Sequence, residues 1–495
     1  MDYVRFHSQL HPARMALTDL ISARQWRYAE LDHYIATCAA LLAARGVSEG
    51  DRVACLAKNC AEIVVLHLAC ARLGALFVPL NWRLSAAELA VLVEDCQPTL
   101  IFFDGSVTEL LPDAPAAATV AIDQLQSLCA QVEPVWPGHR SEDLPSLILY
   151  TSGTTGKPKG VMLSERNLTE TAINFSLLGE VDSESVFLCE SPMFHIIGMI
   201  TSLRPVFLCG AQVMISDRFI PERTLARLAD PQLGISHYFC VPQMAVALRA
   251  EPGFDAGKLR GLKALFTGGA PHPEAQIRDW LDVGISIVDG YGMSEAGTVF
   301  GMPLDRALIA AKAGCVGIPS PRIHARVVDE QNQPVDVGVP GELQLKGDNI
   351  AVGYWRRQED YQNALTEDGW FCTGDVVALD ADGYYRVTDR KKDMFISGGE
   401  NVYPAEVEAL LVKYPGIREL AVVGVPDEQW GEVGCLFYVT DGADLNPEQL
   451  LGSLTSQLAK YKIPKKTMAL EALPRNSLGK VLKHELREKF SATAP

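Results

Sequence analysis

The sequence predicts an α/β protein: a large N-terminal domain of parallel and mixed sheets with covering helices and a small antiparallel region, then a small α+β C-terminal domain. Three observations carry this. The chain has 495 residues, enough for roughly three folding units of about 150 residues each. Helical spacing and short β-branched runs alternate from Tyr28 to Ile101, as in parallel strands covered by helices. The texture then changes twice, after about Ala313 and after the charged run Asp389-Arg390-Lys391-Lys392-Asp393.

The elements follow in order. Apolar residues at helical spacing predict helices near Tyr34–Arg45 and over Ala61–Leu73, and β-branched runs predict strands at Arg52–Leu56 and Leu76–Val78. Further strands are expected at Thr99–Phe103, Leu147–Tyr150, Val186–Cys189, Gln212–Ile215, His237–Val241, Ala264–Thr267 and Ser286–Val288. Past Ala313, Gly, Pro and Asp punctuate short runs at Ala325–Val328, Gly341–Lys346 and Gly383–Val387, which predicts the antiparallel region. The last segment reads helix Glu406–Val412, strands Leu420–Val425 and Leu436–Thr440, and helices Pro447–Lys460 and Lys480–Glu488, with Leu450, Leu451, Leu454 and Leu458 as an apolar stripe. The domain boundary is expected within Asp389–Asp393, a charged stretch between apolar strands.

Composition limits the function. Hydrophobic residues make up 48% and charged residues 21%, a globular balance that excludes disordered and fibrous classes. Lys and Arg number 44 against 61 Asp and Glu, a net charge of −17, which opposes nucleic-acid binding and requires any phosphate site to be local. The 12 cysteines show no Cys-x-x-Cys pair or zinc spacing, as expected of reduced, buried thiols. A polar N-terminal stretch argues against a signal peptide, and no apolar run reaches the roughly 18 residues of a membrane span. A cytoplasmic protein is expected.

Two segments suit nucleotide chemistry. After the strand Leu147–Tyr150 comes Thr151-Ser152-Gly153-Thr154-Thr155-Gly156-Lys157-Pro158-Lys159-Gly160. Its glycines let amides converge, and its four hydroxyls and two lysines add donors and positive charge, a composition that cradles a di- or triphosphate. It is not a Walker A loop, because the glycine spacing is short and Pro158 stands where the magnesium-binding hydroxyl should be. The second segment is Asp289-Gly290-Tyr291-Gly292-Met293-Ser294-Glu295, preceded by Gly268-Gly269-Ala270-Pro271. Tyr291 could stack on a base and Glu295 could hold Mg2+ through carboxylate oxygen. The dinucleotide reading fails because Glu295 stands where its third glycine should be, and the nucleophile-elbow reading because Ala296 stands where its closing glycine should be. Taken singly, His195 in an apolar run reads as a core residue, Asp375 after Thr373-Gly374 as a turn residue and Lys480 after Gly479 as an exposed lysine.

Together and in this order, these segments resemble the acyl- and aryl-CoA synthetases of the adenylate-forming superfamily, through Thr-Ser-Gly-Thr-Thr-Gly-Lys-Pro-Lys-Gly, Tyr-Gly-Met-Ser-Glu, Thr-Gly-Asp, Asp-Arg-x-Lys-Asp and the final Gly-Lys. The stretch Asp393–Glu406 is most similar to bacterial fatty-acid-CoA ligases and feruloyl-CoA-synthetase-like enzymes. The resemblance implies activation of a carboxylic acid, fatty acyl or arylalkanoic, by ATP and Mg2+ to an acyl-AMP, with transfer to coenzyme A. It implies domains at 1–390 and 391–495, the second mobile about a hinge at Lys392. It also implies residue roles. The loop from Thr151 through Ser152, Gly153, Thr154, Thr155, Gly156, Lys157 and Lys159 would hold the β- and γ-phosphates. Gly269, Ala270, Pro271, Asp289, Gly290 and Tyr291, with Gly292 and Met293 beside them, would form the adenine site. Ser294 would meet the α-phosphate, Glu295 the Mg2+, and Asp375 and Arg390 the ribose. Lys480 would bridge carboxylate and phosphate, Ser397, Gly398 and Gly399 would line the CoA tunnel, and Phe194, His195, Gly198 and Met199 the acyl pocket.

This chain has Ser294 where relatives more often have Thr, which keeps the hydroxyl. His195 stands where amino-acid-activating relatives usually have Asp, so an acid without an α-amino group is expected. With no carrier segment after Lys480, free CoA is the expected acceptor. The alternatives are an enzyme that loads a carrier protein or otherwise uses the acyl-AMP, a binding protein with a dead site, and a membrane-docked enzyme. The last would use Arg218, Arg223 and Arg227, although Arg223 and Arg227 read as a solvated helix face. A monomer or homodimer is expected.

Overall fold

The computed structural model describes residues 2–111, 117–136, 138, 140–151, 158–269, 272–329, 331–390, 394–402, 404–411, 414–440, 445–474, 481 and 483–493. The chain divides into two compact units: Met1–Trp82, Val93–Tyr150 and Gly160–Asp389 form one, and Arg83–Leu92, Thr151–Lys159 and Arg390–Pro495 the other.

The first unit is built on strands whose side chains are buried on both faces, the signature of parallel sheets under helices. In one sheet Met15–Asp19, Gln212–Ile215, Val186–Cys189, His237–Cys240, Ala264–Thr267 and Ile287–Met293 lie side by side in parallel. Arg24–Arg27 closes one edge antiparallel, and Gly297–Gly301 and Ile318–Pro319 extend the other. In a second sheet Arg52–Leu56 is flanked by Leu76–Pro79 and Leu100–Phe103, with Pro145–Thr151 and Lys159–Ser164 further along. The helix Ala61–Leu73 ends where Gly74 takes φ +74°, a left-handed cap that glycine adopts at little cost. The expected antiparallel region is present: His324–Val328, Gly341–Lys346, Phe371–Leu379 and Tyr385–Arg390 form one sheet.

In the second unit Ile417–Asp427 and Gly431–Thr440 form an antiparallel ladder, joined by Phe395–Ser397 and by the parallel strand Lys466–Ala469. The helix expected over Pro447–Lys460 stops at Gly452, yet Leu450, Leu454 and Leu458 remain in the core. The stripe therefore reports burial correctly, while glycine breaks the helix beneath it. The helix expected near Tyr34–Arg45 begins earlier, at Tyr28. The buried Tyr28 hydroxyl donates to Ala211 O at 2.8 Å, and Glu30 Oε2 accepts from the Arg27 amide at 2.7 Å, so the first turn is held from outside the periodic pattern. The strand expected at Ser286–Val288 continues to Met293.

Candidate active site

Ligands of parallel α/β sheets bind beyond the carboxyl ends of the strands. In the first unit the ends of Ala264–Thr267 and Ile287–Met293 lie in register, Thr267 opposite Asp289. A cavity partly open to solvent lies there. Its polar side carries Thr267, Gly268, Gly269, Asp289, Gly290, Tyr291 and Gly292; its apolar side carries Phe175, Phe239, Phe266 and Ile197. The three phenylalanines pack on one another with ring centroids 4.8 to 5.2 Å apart. Behind them His237 stacks between Phe187 and Phe266, at 4.5 and 5.5 Å. The apolar end is thus a wall two rings deep.

On the polar side, Asp289 is buried and accepts from Thr267 Oγ1 at 3.0 Å. Burial raises its carboxyl to about 7, opposed by the Thr267 hydrogen bond and by the amides of Gly290 and His272. The Tyr291 hydroxyl donates to Asp375 Oδ2 at 2.6 Å, which draws together residues 84 positions apart. Thr373 Oγ1 accepts from the Asp375 amide at 3.1 Å across Gly374, whose φ is +73°. Glu295 Oε1 accepts from the buried Tyr354 hydroxyl at 2.9 Å. No cluster of three or more His, Cys, Asp or Glu suited to a metal occurs among the described residues. A half-buried, hydrogen-bonded carboxylate such as Glu295 fits Mg2+ held mainly by phosphate oxygens and water. Ser294 is half-buried beside it, Met293 half-buried within reach of the Tyr291 hydroxyl, and Gly292 exposed.

The residues expected at the acyl pocket lie around an irregular helical turn. A π-helical turn at Ile197–Thr201 brings Ile196, Ile197 and Thr201 to the cavity. Phe194, Gly198 and Met199 lie behind this lining. Phe194 packs edge-on against Trp82 at 6.4 Å, Met199 is fully buried, and a Cβ on Gly198 would meet Pro192 O at 2.3 Å. His195 is half-buried against the Phe194 ring at 4.6 Å, and its amide donates to Pro192 O at 3.1 Å.

Ser152, Gly153, Thr154, Thr155, Gly156, Lys157, Ala270, Pro271, Lys392 and Lys480 lie outside the described residues, as does the Arg390 side chain. Thr151 closes one strand and Lys159 opens the next, with the Thr151 hydroxyl 3.5 Å from Lys159 O. Gly269 takes φ +79°. In the second unit Ser397 is buried and its Oγ has no partner. Gly398, at φ +60°, approaches the Trp430 ring so closely that a Cβ would lie 2.5 Å from it, and Gly399 takes φ +81°. Lys465 Nζ sits 3.5 Å from the centroid of the same Trp430 ring.

The sequence reasoning did not single out Tyr354, Thr267, His272 or Trp430. Thr267 alone had a signal, as the last residue of a predicted strand. Arg223 and Arg227 do not form a solvated face. Arg227 pairs at 2.9 Å with Glu190, whose side chain is 0% exposed, and Arg223 pairs with Asp217 at 2.6 Å.

Comparison with known proteins gives this geometry a context. The family model for AMP-binding enzymes matches residues 5–355, and that for the AMP-binding enzyme C-terminal domain matches 406–480. A feruloyl-CoA synthase of Amycolatopsis sp is 39% identical over 470 residues, covering 94% of each chain. An indoleacetate–CoA ligase of Aromatoleum aromaticum is 35% identical, covering 98% of this chain and 97% of its own. A solved o-succinylbenzoate CoA synthetase from Bacillus subtilis, bound with a product analogue, superposes with a TM-score of 0.88 at 29% identity over 98% of each chain. The likeness spans sequence and fold from end to end, and the chain belongs to the AMP-binding enzymes as an ATP-dependent, AMP-forming acid–CoA ligase that works with Mg2+ through an acyl-AMP.

Proposed function

We propose that the acid is an aromatic or arylalkanoic carboxylic acid of short reach rather than a long-chain fatty acid. The supporting observation is the aromatic part of the cavity lining, where Phe175, Phe239 and Phe266 are backed by His237 and Phe187. A planar ring can lie against these faces and edges at a further gain of about 0.5–1.5 kcal/mol. A long alkyl chain would have to displace two layers of close-packed rings. The relatives named for ferulate and indoleacetate agree with this reading.

The reaction on this reading has two displacements. A carboxylate oxygen attacks the α-phosphorus of ATP and pyrophosphate leaves; the CoA sulfur then attacks the acyl carbon and AMP leaves. The 151–159 loop holds the β- and γ-phosphates, Ser294 the α-phosphate and Glu295 the Mg2+. Asp289 and the neighbouring backbone at Gly269, Ala270, Pro271, Gly290 and Tyr291 receive adenine, while Asp375 and Arg390 receive the ribose. His195 stands beside the carboxylate. Lys480 offsets the charge that gathers as two anions approach, and the domain 391–495 turns about Lys392 so that Ser397, Gly398 and Gly399 serve the second step. Free CoA is the acceptor and the cytoplasm the place of work. Engagement of Arg223 and Arg227 in ion pairs supports a reading without membrane docking, and no helix among the described residues is long and apolar enough to cross a membrane.

The test is a panel of cinnamic-type, arylacetic and straight-chain acids with ATP, Mg2+ and CoA, thioesters being read by mass. Aryl acids should give kcat/KM at least tenfold above acids of twelve carbons or more. Phe239→Ala should narrow that gap by admitting longer chains. A wild-type preference for long chains would overturn the assignment of the acid while leaving ligase activity in place.

A further inference from the structure

A hydrogen-bond chain joins Asp289 and Thr267, which line the cavity, to His272, which does not. Thr267 Oγ1 lies 3.0 Å from Asp289 Oδ1 and 3.0 Å from His272 Nδ1. All three residues are buried, at 3%, 3% and 4% exposure. His272 Nε2 is buried without a partner among the described residues. Thr267 has one hydroxyl proton to give. When Asp289 is ionised, that proton goes to its Oδ1, and His272 must carry its own proton on Nδ1 and donate to Thr267. When Asp289 is protonated, the chain reverses: the carboxyl donates to Thr267 and Thr267 donates to a bare Nδ1. The imidazole stays neutral in both states, because burial lowers it to about 4. The titratable groups facing Asp289 are His272, on the segment before the helix Glu274–Asp282, and the buried Cys240 thiol, on the strand His237–Cys240. No lysine or arginine pairs with it among the described residues.

We infer that His272 is a positioning residue for nucleotide choice: through the Thr267 hydroxyl it holds Asp289 as a hydrogen-bond acceptor towards the base and so selects a 6-amino purine over a 6-oxo purine. This rests on the reading that Asp289 faces adenine. An ionised carboxylate accepts from the amino group of ATP but meets the carbonyl oxygen of ITP acceptor to acceptor. A site built to pair with a donor discriminates strongly against an analogue that lacks it. Since burial raises Asp289 to about 7, the preference should be greatest above neutrality and fall below it, where the protonated carboxyl can donate to a 6-oxo group.

The experiment measures kcat and KM for ATP and ITP from pH 6 to 9, on the full chain with one good acid and CoA, for wild type, His272→Leu, His272→Asn and Thr267→Val, each checked for an unchanged melting temperature. Wild type should favour ATP by a ratio that rises with pH. His272→Leu and Thr267→Val should cut the ratio roughly tenfold through the KM for ATP, with kcat and the KM for the acid nearly unchanged. His272→Asn, which retains a donor, should recover most of it. A folded His272→Leu or Thr267→Val enzyme with the wild-type ratio and pH profile would overturn the role of His272. Wild-type failure to use ATP with any acid would instead overturn the ligase reading beneath it.

Discussion

Glu295 illustrates how one neighbour can decide what a charged side chain does. Its carboxylate accepts from the Tyr354 hydroxyl, 59 residues further along the chain. A hydrogen bond to a charged group contributes about 1.5–3 kcal/mol, so Tyr354→Phe should lower the rate of acyl-AMP formation roughly tenfold to a hundredfold. The Mg2+ concentration for half-maximal rate should rise as well. Thioester formation from supplied acyl-AMP should change little, and equal loss in both half-reactions would remove Tyr354 from this role. Glu295 and Asp375 could be picked out as candidates through their motifs. Tyr354 could not, because nothing in a Gly-Tyr-Trp stretch indicates which distant carboxylate its hydroxyl meets. The Tyr291–Asp375 contact is likewise a product of folding, and it makes the tyrosine a hydrogen-bond donor as well as a ring.

At the scale of elements, the site depends on how closely the strand Gly297–Gly301 approaches the helix Glu165–Leu178. Gly297 takes φ +67°, and a Cβ there would lie 2.1 Å from Thr171 Oγ1. Gly297→Ala therefore combines a strained backbone with a steric collision, and should cost roughly 2–4 kcal/mol in denaturant unfolding. Adding Thr171→Ala should recover the collision part but not the backbone part; full recovery would show that φ contributes nothing. Strands enclosed on both faces were legible, because an unbroken apolar run of four or five residues has few other uses. The helix over Pro447–Lys460 was not. Its leucines kept the helical spacing that burial requires, but Gly452 ended the helix, and spacing alone does not distinguish a helix from successive turns that bury the same residues. The π turn at Ile197–Thr201 had no sequence signal either, and it decides which side chains of that apolar run reach the cavity.

Across the first unit, buried histidines set the response to acid. His67, His237 and His272 are each lowered to about 4, chiefly by burial. The folded pKa is depressed below the ordinary value of 6.5, so each contributes stability present above pH 6.5 that is lost as the pH falls through 4. That is roughly 3 kcal/mol per histidine at most. Beside His67, burial opposes ionisation of Glu165, but the charges of Arg204 and His67 and the hydrogen bonds from Arg204 and Ser146 outweigh it and lower the carboxyl to about 2, so that contribution survives until lower pH. Asp289 works in the opposite sense: raised from 3.8 to about 7, it favours the folded state when protonated, and that contribution disappears as pH rises through 7. Melting temperature should therefore fall steeply between pH 6.5 and 4, with proton uptake on unfolding. Between pH 4 and 7 Asp289 offsets part of that fall, so Asp289→Asn should make it steeper. A melting temperature flat from pH 6.5 to 4 would contradict the burial of these imidazoles. The sequence carried the family and the fold class, but not these ionisation states, because a lone His or Asp acquires its environment only when the sheets close around it.

The strand Ile287–Met293 places Val288 and Asp289 in the lining of the cavity within one step of each other, so on the proposed reading it would serve both acid and purine. A mutation there that retuned the enzyme for a new acid would also disturb its hold on the purine. Drift in acid preference would on that reading be channelled into Phe175 and Phe239, which sit on the helix Glu165–Leu178 and the strand His237–Cys240. Descendants of such a chain could diversify in diet while their energy currency stays the same.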